Sequence, residues 1–566
     1  MSNHIRNSIY NKFFQNIDGN GLLPILSHLN LKCDAFNGIF AFHLPLKTNL
    51  YNIENKTNSL IKNNVDDDIV RKIDVNKNNQ DELLVDLNRN TFVKKILESN
   101  SHEISAPTVI CNNKNIVVDF SSPNIAKPFH VGHLRSTIIG NYIANLHKFI
   151  HNNVTKINYL GDWGTQFGLV KLGVDLRNIS DDAIKIDPIK ELYEAYVYAN
   201  KLSENDPNII AQARNIFHQM ENGDVNSLEQ WEVFKKYTVD ELEKTYNRIG
   251  ITFDEYNWES QYNAKKISDI INYMKELKLL KKDREGRQVI ALNEERNLPI
   301  IKSDGSTLYI TRDIAAAIDR AEKYNFDKMY YVVDTSQLHH FNNLITIFNK
   351  MEMPWANKLE HVKFGKIRGM STRKGDVVFL TDILDEANAT MKEKQIKSPT
   401  TKVDLNSSET SSDILGISAI ICYDMKQRRL RDYEFNWDVA LDIRGETGVR
   451  LQYTHCRLSS LEENCGVKLP SECDPSLLKE PIVNELVAAI SQFDEAVVSS
   501  YQTLEPCHLL KYLFHLSHTV NKALKELRVK TEPEDVASQR LLLFHVAKNV
   551  LNTGMKLIGL VPLNKM

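Results

Sequence analysis

The chain has 566 residues, too many for one hydrophobic core, and with 42% hydrophobic and 25% charged residues it reads as a folded protein of two or three domains. It holds no run of eighteen apolar residues, which excludes a membrane-spanning helix, and its net charge of −3 does not mark a nucleic-acid binder, although a local basic face can hide in such a total. Seven cysteines, at 33, 111, 422, 456, 465, 473 and 507, form no CxxC pair and match no histidine cluster, so free thiols are expected and structural zinc is not.

Residues 1–105 mix short apolar segments, GLLPILSHL and GIFAFHLPL, with the polar tract NNVDDDIVRKIDVNKNNQDE, which predicts a small α+β add-on domain carrying a loose surface segment. From 106 to 397, β-branched runs alternate with helical patterns. KINYL precedes GDWGTQFG, KMYYVVD precedes TSQLHHFNNLITIF, and HVKFGKIRG precedes a turn. Such alternation predicts a doubly wound, Rossmann-like parallel sheet. Within it, the charged segment from about 170 to 285 reads as a helical insertion.

The most informative stretch lies at the start of this region. Ile116-Val117-Val118-Asp119-Phe120 suits a buried strand, and Ser121-Ser122-Pro123-Asn124 must end it. After Pro128 come His130-Val131-Gly132-His133, then Leu134, Ile138, Ile139, Ile143 and Leu146 at helical spacing, so two histidines begin a helix beside the strand's carboxyl end. Open α/β sheets bind ligands in that crevice, and a helix start adds unpaired N–H groups that attract anions; a phosphate-bearing ligand belongs there. Gly132 would admit a flat group such as a purine, and the histidines can donate to phosphate oxygens. An HxGH on its own is more often a helix cap or a metal pair.

The stretch SPTTKVDLNSSETSSD, from 398 to 413, has almost no apolar residue and reads as a linker. Beyond it, 414–566 carries helix periodicity with hardly a strand candidate, which predicts an all-α bundle; the sheet domain is expected to bind ATP without it.

SSPNIAKPFHVGHLRSTIIGN, GDWGTQFG, SDGSTLYITRD, GMSTRKG and GETGVRLQYTH stand in one order along the chain. In these motifs the chain resembles the arginyl-tRNA synthetases, class I aminoacyl-tRNA synthetases, from about Val109 to Met566, and most of all their animal mitochondrial branch. The resemblance implies an ATP-dependent ligase that activates L-arginine and passes it to the 3′-terminal ribose of tRNA-Arg, with Mg²⁺ accompanying ATP, acting as a monomer. It implies that Lys127, His130, Gly132 and His133 meet ATP, together with Met370, Ser371, Arg373 and Lys374 of a loop in which Gly369 and Thr372 replace the usual lysines. It implies an arginine pocket lined by Asp119, Ser122, Pro123, Asn124, His133, Tyr309, Asp313 and Gln337, with Asp119 standing where relatives commonly carry Glu. It also implies that 1–105 contacts tRNA and that 414–566 binds the anticodon side, where Arg428, Arg429, Arg450 and Tyr453 are the candidate contacts. A guanidinium, planar with five donors, is best met by carboxylates and carbonyls in fork geometry, which suits the acids named. By position alone, Asp313 equally suits a helix N-terminal acid, and RGMSTRKGD a solvated basic turn.

Two rival readings remain: a nucleotidyltransferase of the HxGH superfamily, which needs no helical bundle, and a synthetase-derived RNA-binding protein without activity. The opening MSNHIRNSIYNKFFQNI carries His4, Arg6 and Lys12 and no acid before Asp18, which resembles a mitochondrial transit peptide and places the protein in the matrix, with the cytoplasm as the alternative.

Overall fold

The structure is a computed structural model and describes residues 2–9, 12, 29–45, 47–48, 51–52, 67–76, 82–111, 113–125, 127, 129–221, 223–262, 264–303, 308–369, 379–398, 408–442 and 444–566. The first predicted strand is Asn115–Asp119, and Ile116, Val117 and Val118 are all buried, as a sheet covered on both faces requires. Five parallel strands lie in the order Leu359–Phe364, Lys328–Asp334, Asn115–Asp119, Asn153–Leu160 and Glu255–Trp258. The doubly wound sheet expected from the sequence is therefore present. Its strand order reverses between Asn115–Asp119 and Lys328–Asp334, and that is where such sheets open a ligand crevice.

At the carboxyl end of Asn115–Asp119 the chain turns through Ser121 and Ser122, both left-handed, with φ of 71° and 47°. Two such non-glycine residues cost about 1–3 kcal/mol each. They are held because Ser121 N–H donates to Ser136 Oγ at 2.9 Å and Ser122 N–H donates to Asn158 Oδ1 at 3.0 Å. The following helix, Val131–Phe149, crosses so closely that a Cβ on Gly140 would lie 2.2 Å from the Phe120 ring.

The expected insertion differs in extent. Helices run from Thr165 to Arg248 between the second and third strands, after which Glu255–Trp258 rejoins the parallel sheet. That strand escaped the sequence reading because it is a half-exposed edge with no β-branched residue. Leu280–Lys282, Gln288–Ala291 and Asn297–Ile301 then form a separate antiparallel sheet, also unforeseen.

The N-terminal region is a small α+β unit: an antiparallel sheet in the order Asn30–Asp34, Ile39–Pro45, Glu82–Leu87, Val70–Val75, with the helices Ser2–Ile9 and Arg89–Glu98. Ile5 and Ile9 are buried in it, and the buried Arg6 pairs with Glu495 of the C-terminal bundle. Arg89 Nε donates to Asn484 Oδ1 at 2.8 Å, and Asn484 Nδ2 donates to Ala35 O at 2.8 Å, so the first and last parts of the chain are joined directly.

The C-terminal region is a bundle built from Ser408–Met425, Gly448–Asn464, Pro481–Ser491, Phe493–Thr503, Pro506–Glu526 and Glu534–Leu557. Residues 408–413, read from the sequence as linker, begin the first of these helices. The hydroxyls of Ser411 and Ser412 pack because they are satisfied: Gln395 Nε2 donates to Ser411 Oγ at 3.2 Å and Ser412 Oγ to Asn388 Oδ1 at 2.5 Å.

One buried strut ties sheet and bundle. Arg135, two residues beyond His133, has its Nε 3.0 Å from Asp424 and donates from Nη1 to Gly365 O at 2.6 Å and Arg431 O at 3.0 Å. Tyr433 donates to Asp424 at 2.7 Å, and its ring lies 5.2 Å from the guanidinium. A sheet domain cut at 413 would lose Asp424, Arg431 and Tyr433 together, removing both the counter-charge and part of the cover of Arg135.

Candidate active site

The helix Tyr309–Tyr324 presents Tyr309, Asp313, Ala316 and Arg320, spaced three or four residues apart on one face, to a cavity of about 350 Å³. Gln337, His340, Phe341 and Leu344 form the opposite wall, and Asp119, Ser122, Asn124, Gly161 and Glu259 complete it from the ends of the strands. Small Ala316 leaves the space that its neighbours surround. Pro123, expected in the pocket, is not in its lining; its carbonyl accepts from Gly161 N–H at 3.3 Å, and a Cβ on Gly161 would collide with Asn124 Oδ1 at 2.0 Å.

The cavity concentrates negative charge. Asp313 Oδ2 lies 2.7 Å from His340 Nε2, and the Asp313 charge, with burial, pushes the Tyr309 hydroxyl well above the usual phenol range. Asp119 accepts from Arg320 Nη1 at 2.8 Å and from Ser122 Oγ at 2.9 Å; burial raises its pKa against the pull of Arg320. Glu259 is 7% exposed, and burial, then Asp313 and Asp162, push its carboxyl up to about 8. Among the described residues no hydrogen bond reaches that carboxylate. Three acids faced by Arg320 suit a cationic ligand with several N–H donors.

Glu259, Arg320 and His340 were not foreseen. Arg320 was within reach of helical arithmetic, because it lies two turns from Asp313 on the same face. His340 stands one turn from Gln337 by the same rule. Glu259 follows the edge strand whose pattern carries no signal, so only the fold brings it in.

The second half of the site is the start of the helix Val131–Phe149. His130 is its N-cap: Nδ1 accepts from Gly132 N–H at 3.1 Å, while His133 Nδ1 accepts from His130 N–H at 3.3 Å. With both Nδ1 atoms accepting, the neutral rings carry their proton on Nε2, and both become donors. The rings stack at 4.1 Å. Burial lowers both pKa values, that of His133 to about 3, with the charge of Lys127 adding to the effect. Gly132 has a second reason beyond access for a ligand, since a Cβ there would lie 2.9 Å from the His130 ring.

His130, Gly132 and His133 line a pocket of about 690 Å³ with Ser336, Gly365 and Lys366. Ser122, Val333 and Gln337 line both this pocket and the acid cavity, so the two are adjacent. Lys127 is half-buried beside the histidines. Met370, Ser371, Arg373 and Lys374 lie outside the described residues; the short strand leading to them, Ile367–Arg368, pairs with Tyr433–Glu434 of the C-terminal region.

Of the C-terminal candidates, Arg450 and Tyr453 come together, with Arg450 and Arg457 at 5.9 and 5.7 Å from a Tyr453 ring that is 40% exposed. Arg428 is exposed. Arg429 is turned into the protein, donating from Nη1 to Lys363 O at 2.9 Å, while its backbone N–H donates to Glu505 at 2.9 Å.

A parallel sheet opening at its switch point onto a histidine-capped helix, with an acid cavity alongside and a helical domain behind, defines a class I aminoacyl-tRNA synthetase. Residues 93–437 match the family of tRNA synthetases class I (R), catalytic domain, and residues 451–566 the DALR anticodon binding domain. The chain is 43% identical over 457 residues to a probable mitochondrial arginine–tRNA ligase of Bos taurus, covering 80% of this chain and 78% of that protein. It is 41% identical over 471 residues to the cytoplasmic arginine–tRNA ligase of Saccharomyces cerevisiae, covering 81% and 77%. The arginyl-tRNA synthetase of Plasmodium falciparum shares its fold, with a TM-score of 0.76 at 24% identity over 100% of this chain and 98% of that one. The chain belongs to the class I arginyl-tRNA synthetases, as its motifs had indicated.

Proposed function

We propose that the protein is an arginine–tRNA ligase whose acid cavity selects the guanidinium of L-arginine and whose histidine pocket holds ATP. The adjacency of the two pockets at Ser122 and Gln337 carries this reading, because the arginine carboxylate must reach the α-phosphate. Asp313, Glu259 and Tyr309 meet the guanidinium; Asp119 and Asn124 meet the α-amino end. The carboxylate attacks the α-phosphorus, the bond to pyrophosphate breaks, and the terminal ribose of tRNA-Arg then takes the arginyl group as AMP leaves. No side chain acts as a nucleophile. His130 and His133 donate from Nε2 to phosphate oxygens whose charge shifts during the first step, an electrostatic task for placed donors. Lys127, Met370, Ser371, Arg373 and Lys374 complete the ATP contacts, and Mg²⁺ arrives bound to ATP, carried by phosphate oxygens and water.

Residues 106–397 form the catalytic domain in this reading, 398–413 its junction with the bundle, 414–566 the anticodon-binding domain, and 1–105 a tRNA-contacting domain. Arg428, Arg450 and Tyr453 face tRNA, with Arg429 supporting them from behind; Phe36, 87% exposed at a hairpin tip, suits stacking on an unpaired base. The acting unit in this reading is a monomer. The mitochondrial relatives and the acid-free opening support import into the matrix. Since Ile5, Arg6 and Ile9 pack into the fold, the segment is expected to stay on the mature protein. Pyrophosphate exchange with each of the twenty amino acids, with and without tRNA, tests the activity. Exchange driven by arginine alone is expected, and exchange with another amino acid or with none overturns the reading.

A further inference from the structure

Glu259 sits in the cavity without a hydrogen bond to its carboxylate among the described residues, so something else must aim it. It opens a short turn, Glu259–Gln261, and the next residue is clamped. Ser260 N–H donates to Asp162 Oδ1 at 2.9 Å and Ser260 Oγ donates to Asp162 Oδ2 at 2.6 Å. Asp162, of the GDWG motif, is completely buried, and Lys235, 7% exposed, shares its charge between Glu232 at 2.5 Å and Asp162 at 3.7 Å, with its Nζ 3.5 Å from Ser260 Oγ. Lys235 also lies 5.1 Å from the Trp258 ring, so it touches both sides of Glu259 along the chain.

Lys235 belongs to the helix Val225–Arg248, the last of the helical insertion, and contributes nothing to the lining of either pocket. A buried acid and a buried lysine that never reach the ligand cavity are costly unless their geometry matters. Their one shared product is the position of the turn that carries Glu259.

We propose that Asp162 and Lys235 are positioning residues that aim Glu259 at the guanidinium, so that the helical insertion helps to set the enzyme's selectivity for arginine. This rests on the reading that Glu259 meets the guanidinium, and the test separates the two. Pyrophosphate exchange is measured for Asp162→Asn, Lys235→Met, Ser260→Ala, Glu259→Gln and the double variant Asp162→Asn/Glu259→Gln. Asp162→Asn is expected to raise the KM for arginine by about tenfold, the size of one charge-assisted hydrogen bond, with the KM for ATP unchanged. In the Glu259→Gln background the same change should add nothing, because coupled residues are not additive. An equal rise in both backgrounds, or a parallel rise in the KM for ATP, overturns the proposal while leaving Glu259 in its role. An unchanged arginine KM in Glu259→Gln overturns the reading beneath it, and the proposal with it. Should Asp162→Asn fail to fold, Ser260→Ala, which removes a single hydroxyl, must give the same selective rise, and its failure to do so overturns the proposal equally.

Discussion

The acid cavity and the histidine pocket share lining residues yet differ in charge, the one gathering carboxylates and the other opening on two histidines and a helix start. The cavity gathers Asp119, Glu259 and Asp313, with Asp119 and Glu259 buried, and burial and the neighbouring acids push the Glu259 carboxyl up to about 8. In the proposed reading the histidine pocket meets a polyanion with neutral rings and a helix start, and its histidine donors add no positive charge of their own. The two also differ in support. All lining of the cavity comes from residues 119–344, whereas the histidine pocket is lined by Arg135, whose counter-charge Asp424 lies in the bundle. In the proposed reading the arginine end is thus held within residues 119–344, helical insertion included, and the ATP end is tied to the C-terminal bundle.

The widest separation of the two halves should come from Asp424→Asn. It strands the buried Arg135 charge and should lower stability by about 3–5 kcal/mol, read from denaturant unfolding; in folded enzyme the KM for ATP should rise more than that for arginine. Equal rises would make the strut merely structural. Asp313→Asn should do the reverse, weakening arginine use by about 2–5 kcal/mol in kcat/KM with ATP use nearly unchanged. An unaltered arginine KM there removes Asp313 from the site.

His130→Ala and His133→Ala should lower the rate of activation by about a hundredfold each, the loss that follows removal of a transition-state donor, with little change in the KM for ATP. A rise in KM alone would assign the histidines to ground-state binding.

Acidity should separate the halves as well. Glu259 is pushed up to about 8 by burial, Asp313 and Asp162, against Arg312, so below that pH it must release a proton before it can face a guanidinium. The KM for arginine should therefore rise by up to about tenfold per pH unit as pH falls below 8, and Glu259→Gln should abolish the trend. Global stability runs in the same direction for another reason. His133, pushed down to about 3, and His147 and His361, each to about 4, are neutral when folded, while the unfolded chain takes up protons below about 6.5. Stability is then full above about 6.5 and lost as pH falls toward 4, by up to about 1.4 kcal/mol per pH unit for each histidine. Melting curves between pH 7 and 4.5 should show it, with a shallower slope in His147→Asn.

Much of the ligand crevice was legible in the sequence because it is local. An apolar strand, a turn of serines and a helix opening on HVGH are set within twenty residues by sterics and periodicity, and Tyr309 and Asp313 share a helix face by spacing alone. The bundle was legible for the same reason. Tertiary structure decided the rest, through pairings between residues far apart in the chain. Arg320 reaches Asp119 across 201 positions, the edge strand Glu255–Trp258 brings Glu259 to the cavity despite a polar pattern, and Arg135 crosses to Asp424. The serines at 411 and 412, whose composition read as linker, are buried because Gln395 and Asn388 satisfy them. Local propensity fixes which elements form and which way their faces point, but whether a buried charge or hydroxyl is tolerated depends on the partner that the fold brings to it, and no window of sequence contains that partner.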